Sequence, residues 1–292
     1  DLRMSRGLGD VYKRQVVGEG DFLALGHHKL RFSLIPMVHW PETMVTYDET
    51  EGILFSGDAF GCFGALNGGV IDANINTDIY WDEMVRYYSN IVGKYGAPVQ
   101  KALQKLQTLK INAICSTHGP VWTEEIPRVV RIYDRLSRYE AEEGVVIAYG
   151  TMYGNTAEMA EAIAEELSKQ GIRNIVMHNV SHTNHSYIIA DVFKYRGLIV
   201  GCPTYNTQMY PEMEALLNKL SAREIKGRYM GWFGSFTWAS AAVKKITEFN
   251  DKLKFEPVGN PIEMKHSMKS ETYVQCKELA KAMADRLKAD RK

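Results

Sequence analysis

Tyr149–Thr156, "YGTMYGNT", is the stretch that decides the fold. It follows "VVIAYG" (145–150), a short apolar run closed by Gly, the pattern of a buried strand. It leads into "NTAEMAEAIAEELSKQG" (155–171), where Met159, Ile163, Ala164 and Leu167 recur at helical spacing, with Lys169 and Gly171 marking the end. A loop of Thr, Gly and Asn at a helix N-terminus presents backbone N–H groups and hydroxyls to an anion. Thr151 and Thr156 offer hydroxyls, Gly154 allows close backbone approach, and Asn155 is placed to cap the helix. The stretch lacks both the Lys-Ser/Thr of a triphosphate loop and GxGxxG, which disfavours nucleoside triphosphates and dinucleotides. A phosphate held there rests on neutral donors and the helix dipole.

The alternation continues toward the C-terminus. "RNIVMHNV" (173–180), "GLIVGCP" (197–203) and "RYMGWFGS" (228–235) read as strands, with a short strand near Phe255–Ile262. Helices are expected near Ser186–Tyr195, over "MYPEMEALLNKLS" (209–221), "ASAAVKKITEFNDKL" (239–253) and "SETYVQCKELAKAMADRLKA" (270–289). Five strands each followed by a helix predict a doubly wound five-stranded parallel sheet with its ligand at the C-terminal strand ends. Upstream, "EIPRVVRIYDRLSRYEAEEG" (125–144) reads as a helix opened by Pro127 and ended near Gly144. The first half is mixed, with strand-like runs at Leu30–Ile35, Met44–Asp48 and Gly52–Ser56, helices at Trp81–Tyr95 and Pro98–Leu109, and a strand "INAICS" (111–116).

The chain has 292 residues, which predicts about two domains. Lys+Arg and Asp+Glu both count 35, which argues against nucleic acid as the main partner. No apolar run approaches the roughly 20 residues of a membrane span, and no secretory signal is visible. Cys62, Cys115, Cys202 and Cys276 form no CxxC pair, so buried free thiols and a cytoplasmic location are expected. "DVYKRQ" (10–15) resembles the translated end of a sequencing-library adapter. Residues 1–15 are therefore read as a non-native or disordered leader.

"TMYGNT" (151–156) resembles the phosphate loop T-x-x-G-N-T of the flavodoxin family. Two further loops fall where that family contacts its flavin: Pro203, Thr204, Tyr205 and Asn206 after the third strand, and Ser235, Phe236, Thr237, Trp238 and Ala239 after the fourth. With Thr151, Met152, Tyr153, Gly154, Asn155 and Thr156 they make the expected FMN site. Aromatic side chains there suit a flat, stacking isoalloxazine. Taken singly, TxxGNT is no more than a helix cap, and Tyr205 and Trp238 are core or rim aromatics.

In the first half, His39 lies in "HWPETM" (39–44), Asp58 in "LFSGDAFGCFGAL" (54–66) and His118 in "STHGPVW" (116–122). Each leaves a strand-like run beside Gly or Pro, where ligands are readily fixed. Imidazole and carboxylate suit iron, zinc or manganese. Singly, a lone His is usually core and an Asp before a turn is usually a cap. Together with the downstream half, the chain from about residue 16 resembles the flavodiiron proteins (A-type flavoproteins). That family joins a metallo-β-lactamase-like diiron domain to a flavodoxin-like domain.

The resemblance implies that residues 16–141 are the C-terminal part of the diiron domain and 142–292 the FMN domain. It implies that His39 and His118 ligate one iron each and that Asp58 bridges them, with no catalytic residue beyond these ligands. The cofactors implied are FMN and two iron ions. Electrons pass through FMN to the metals, which reduce O2 to water and/or NO to N2O. The implied partners are a rubredoxin-like donor and a second copy in a head-to-tail homodimer (or tetramer). The family's H-x-E-x-D-H motif is absent from this sequence: His27-His28 lacks the acidic partners, and His182 and His185 lie in the other half. An N-terminally truncated chain with an incomplete metal site is therefore expected. The alternative is an FMN electron-transfer flavoprotein without a working metal site. A metallo-hydrolase is disfavoured by the attached flavin half.

Overall fold

The computed structural model describes residues 16–291. The reading of residues 1–15 as a leader falls outside them. The first half is built on a six-stranded sheet in sequential order: β1 (Phe22–Leu25), β2 (His28–Leu34), β3 (Met44–Asp48), β4 (Ile53–Gly57), β5 (Ala113–Ser116) and β6 (Val121–Trp122). All neighbours are antiparallel except β4 and β5. Because β2, β3 and β4 alternate in direction and β5 follows β4, the β2–β3 connection and the exits of β4 and β5 share one end of the sheet. Those three segments carry His39, Asp58 and His118.

Helices α1 (Asp78–Tyr87), α2 (Gly96–Leu106) and α3 (Ile126–Ser137) complete this half. The helix expected over Trp81–Tyr95 starts earlier, and its last part, Tyr88–Val92, is a π turn. The helix expected to run to Gly144 stops at Ser137. Tyr139 turns the backbone left-handed (φ 57°), and Glu142–Gly144 belong to the next strand. Gly144 is therefore no helix terminator. A Cβ there would meet the Tyr195 ring at 2.4 Å, so glycine is needed for close strand contact.

The second half alternates β7 (Glu142–Tyr149), α4 (Asn155–Lys169), β8 (Ile175–Asn179), α5 (His185–Lys194), β9 (Tyr195–Pro203), α6 (Pro211–Ser221), β10 (Tyr229–Phe236), α7 (Ala242–Leu253), β11 (Glu256–Pro257), β12 (Ile262–Lys265) and α8 (Ser270–Ala289). The sheet is parallel throughout, ordered β8-β7-β9-β10 with β11 and β12 both on the outer side of β10. This is the doubly wound order whose ligand crevice lies at the switch between the first and third strands. The single strand expected near Phe255–Ile262 is two short ones. Pro257 and Pro261 cannot donate ladder bonds, so pairing breaks between them and resumes at Ile262.

One apolar cluster packs α4 and α8 against one face of this sheet, around Met159, Ile163, Leu279 and Met283. The other runs from α5 and α6 into the first half without a break, joining Phe193 and Leu217 to Tyr88, Tyr133 and Leu54. Tyr88 packs edge-on to Phe193. Arg86 lies between the rings of Phe63 and Tyr187, and Arg223 donates to the Ser89 carbonyl. Arg228, buried without a carboxylate, donates to the carbonyls of Tyr139, Val192, Phe193, Lys226 and Gly227. Among the described residues no helix is long and apolar enough to cross a membrane, and all four cysteines are free.

Candidate functional site

At the C-terminal end of the parallel sheet, a cleft of about 510 Å³ opens between three loops. It is lined by Thr151, Met152, Tyr153, Asn155 and Thr156 after β7, Pro203–Asn206 after β9, and Ser235–Trp238 after β10. Sequence reasoning named all of these. Gly154 and Ala239, also named, stand beside the cleft without lining it. The cap differs from expectation. Gly154, with φ 91°, is the N-cap of α4, and Asn155 is its first helical residue. The N–H groups of that first turn have no intrahelical acceptor and face an anion site by geometry.

The three loops are bonded to one another. The Thr156 and Ser235 hydroxyls, both buried, lie 2.8 Å apart. Thr204 N–H donates to the Ser235 carbonyl at 2.7 Å. Thr204 Oγ1 accepts from Ala241 N–H at 3.0 Å and Ala242 N–H at 3.1 Å, so it caps α7 across the cleft floor. These two bonds use its oxygen as acceptor, while the residue also lines the cleft. Tyr205 and Gln208 exchange backbone bonds around Asn206 (φ 46°) and Thr207 (φ 57°), the two left-handed central residues of a type I′ turn. On this rigid frame stand exposed aromatics, Tyr153 (87% exposed) and Trp238 (85%), with Tyr205 half-exposed. Exposed rings around a polar, anion-ready floor fit a flat heteroaromatic phosphate ester, the chemistry of FMN.

His266 also lines the cleft, and sequence reasoning missed it. It follows β12 directly, and only the β12–β10 pairing, Phe236 opposite Lys265, brings it there.

In the first half the structure brings His39, Asp58 and His118 together. Asp58 Oδ2 lies 3.2 Å from His39 Nε2, and Asp58 Oδ1 lies 3.3 Å from His118 Nε2. One carboxylate thus presents a different oxygen to each imidazole. Thr117 Oγ1 donates to Oδ1 at 2.7 Å and orients the carboxylate. The His118 backbone is tied through its carbonyl to Cys62 N–H. Burial, aided by the Glu83 charge, pushes the Cys62 thiol up to about 12. The Tyr87 ring lies 5.4 Å from His118, centroid to centroid, with its hydroxyl buried and unpartnered. Burial first, then the charge of Asp58, holds that phenol well above its ordinary value. Nothing in the sequence marks Tyr87, because the helix register that aims it at His118 is set by packing.

Among the described residues, no group of three or more His, Cys, Asp or Glu side chains is arranged to hold one metal ion. The geometry explains this: each side of Asp58 has one imidazole and one carboxylate oxygen. The donors fit one carboxylate bridging two ions, with part of each ion's ligand set.

Residues 147–280 match the flavodoxin family and residues 11–119 the ODP family beta lactamases. An uncharacterised protein of Methanocaldococcus jannaschii is 32% identical over 271 residues, 92% of this chain and 68% of that protein. A nitric oxide reductase of Moorella thermoacetica is 29% identical over 93% of this chain and 68% of its own length. Among solved structures, rubredoxin oxygen:oxidoreductase from Desulfovibrio gigas superposes with a TM-score of 0.91 at 28% identity, covering 95% of this chain and 70% of that one. The flavodiiron protein from Giardia intestinalis gives 0.90 at 27%, covering 94% and 68%. With a beta-lactamase-type half preceding a flavodoxin half, and relatives that share both over more than nine-tenths of its length, this chain belongs to the flavodiiron protein family.

Proposed function

We propose that this chain is an oxidoreductase that binds FMN in the cleft between its 151–156, 203–206 and 235–239 loops. We propose further that His39, Asp58 and His118 form part of a diiron site. The observation that carries the reading is Asp58, whose two oxygens each face one histidine at 3.2 and 3.3 Å. When bound, FMN would supply one- and two-electron transfer, and a metal pair held in part by His39, Asp58 and His118 would supply Lewis-acid polarisation of a small oxidant. The chain's own residues do the positioning. The first turn of α4 and Thr151 would hold a phosphate, Trp238 and Tyr153 would shield a planar ring, and Thr117 fixes the Asp58 carboxylate. O2 and NO are the substrates proposed, in keeping with the names of the oxygen and nitric oxide reductases the chain is similar to. The same comparison supports a rubredoxin-like donor. A head-to-tail homodimer, residues 16–141 and 142–292 as the two domains, and a cytoplasmic site consistent with four free thiols complete the proposal.

A second reading has its own support. Among the described residues, each side of Asp58 offers one imidazole only. That favours an FMN electron carrier whose metal half does not turn over. Titration of the purified apo-chain with FMN, followed by flavin fluorescence, tests the shared part. Saturation at one FMN per chain is expected, and a folded chain that fails to bind sinks both readings. Iron content then separates them. Iron that co-purifies and is lost in Asp58→Asn supports the diiron site, whereas iron at background in both leaves the carrier.

A further inference from the structure

The flavin cleft has an electrostatic peculiarity. Among the described residues, no Lys, Arg, Asp or Glu lines it, and His266 is the one lining side chain that can carry a positive charge near neutral pH. His266 is held there by two features. Its N–H donates to the Phe236 carbonyl at 2.9 Å, extending the β10–β12 ladder one residue into the loop that carries Thr237 and Trp238. Its backbone is left-handed (φ 65°), a conformation costly for most residues and tolerated best by Gly, Asn, Asp and His. A histidine in that state at the rim of a cleft is a constrained residue that the surrounding structure over-determines.

The charged groups on the adjoining segments do not line the cleft. Glu263 and Lys265 project from β12 as exposed side chains, and Glu263 accepts from the Ser240 hydroxyl. Lys269 follows in the next turn, exposed. The neighbouring loops contribute only the phenols of Tyr153 and Tyr205.

Resting on the reading that FMN occupies this cleft, we propose that His266 is a residue that sets the flavin's redox poise. Two electrons from a one-electron protein donor or a chemical reductant, with one proton taken up by the ring, leave the flavin with one net negative charge. His266 as imidazolium opposes that charge in the reduced state and has no counterpart to oppose in the oxidised ring. When charged it therefore binds the reduced form more tightly than the oxidised form and raises the potential. A neutral imidazole confers no such bias.

The test compares the FMN-loaded wild type with His266→Asn and His266→Lys. Asn keeps the left-handed backbone without a charge, and Lys keeps a charge. FMN binding is measured by fluorescence, and the two-electron midpoint potential by spectroelectrochemistry from pH 5.5 to 8.5. The expected result is about a tenfold loss in the preference for reduced over oxidised FMN in the Asn variant at pH 5.5. That is about 30 mV for a two-electron couple. The gap to wild type closes at pH 8.5, and the Lys variant restores the acid-side potential at both pH values. Equal potentials in wild type and Asn variant at pH 5.5, with FMN bound in both, overturn the role of His266. A wild type that binds no FMN overturns the flavin reading itself, which is a separate outcome.

Discussion

Replacing Thr204 by Val tests whether the flavin loops act as one unit. Valine keeps the shape and removes the acceptor for Ala241 N–H and Ala242 N–H at 3.0 and 3.1 Å. The Ala242 residue is 1% exposed, so water does not readily replace the lost partner. Loss of an N-cap costs about 1 kcal/mol, and an unpaired buried N–H costs about 1–3 kcal/mol. Together they predict roughly 2 kcal/mol of destabilisation, centred on the start of α7 and the 235–241 loop. If that loop is reordered by the ligand, most of the cost appears as affinity. About 1.4 kcal/mol is a factor of ten, so the FMN Kd should rise by about ten- to thirtyfold. Thr204→Ser restores the acceptor and should stay within about twofold of wild type. Fluorescence titration gives the Kd and a thermal melt of the apo-chain gives the share lost from stability. A Thr204→Val variant with wild-type Kd and wild-type Tm would refute the claim that this hydroxyl holds the cleft together.

Trp238→Ala should weaken FMN binding by about tenfold through lost stacking, with little change in Tm because the ring is 85% exposed; calorimetric titration checks both. Arg228→Met leaves five carbonyls without their donor, two of them in the last turn of α5, and should cost about 3–5 kcal/mol in a urea melt. Asp72 is buried and accepts from Thr123, Glu124 and Glu125 N–H groups and the Thr123 hydroxyl. Burial alone pushes its carboxyl up, but these bonds outweigh it and hold it below the usual carboxylate range. Its contribution is therefore present above the unfolded value near 3.9 and is lost as pH falls through the lower folded value. Asp72→Asn should cost about 2 kcal/mol at pH 7, and the gap to wild type should narrow below about pH 4 in paired urea melts.

By itself the sequence determined what depends on near neighbours in the chain. The strand and helix alternation after residue 142 follows from apolar spacing, and the anion loop at 151–156 from residue types at a helix start. The loops at 203–206 and 235–239 are placed by resemblance to the flavodoxin family, and both line the cleft. Element ends were less legible: Tyr139 in a left-handed conformation and Gly144 against the Tyr195 ring are decided by contacts, not by local preference. The tertiary structure alone decided which atoms meet. His39, Asp58 and His118 come from three segments that converge only because β2–β4 alternate in direction and β5 runs with β4. Thr204 lines the cleft, and only the structure shows that its hydroxyl oxygen also caps α7. His266 and Tyr87 carry no local signature, since strand pairing and helix packing put one beside the cleft and the other beside His118. Periodicity encodes which face of an element is buried; register between distant strands is a global balance of packing and hydrogen bonding, and that balance places the site.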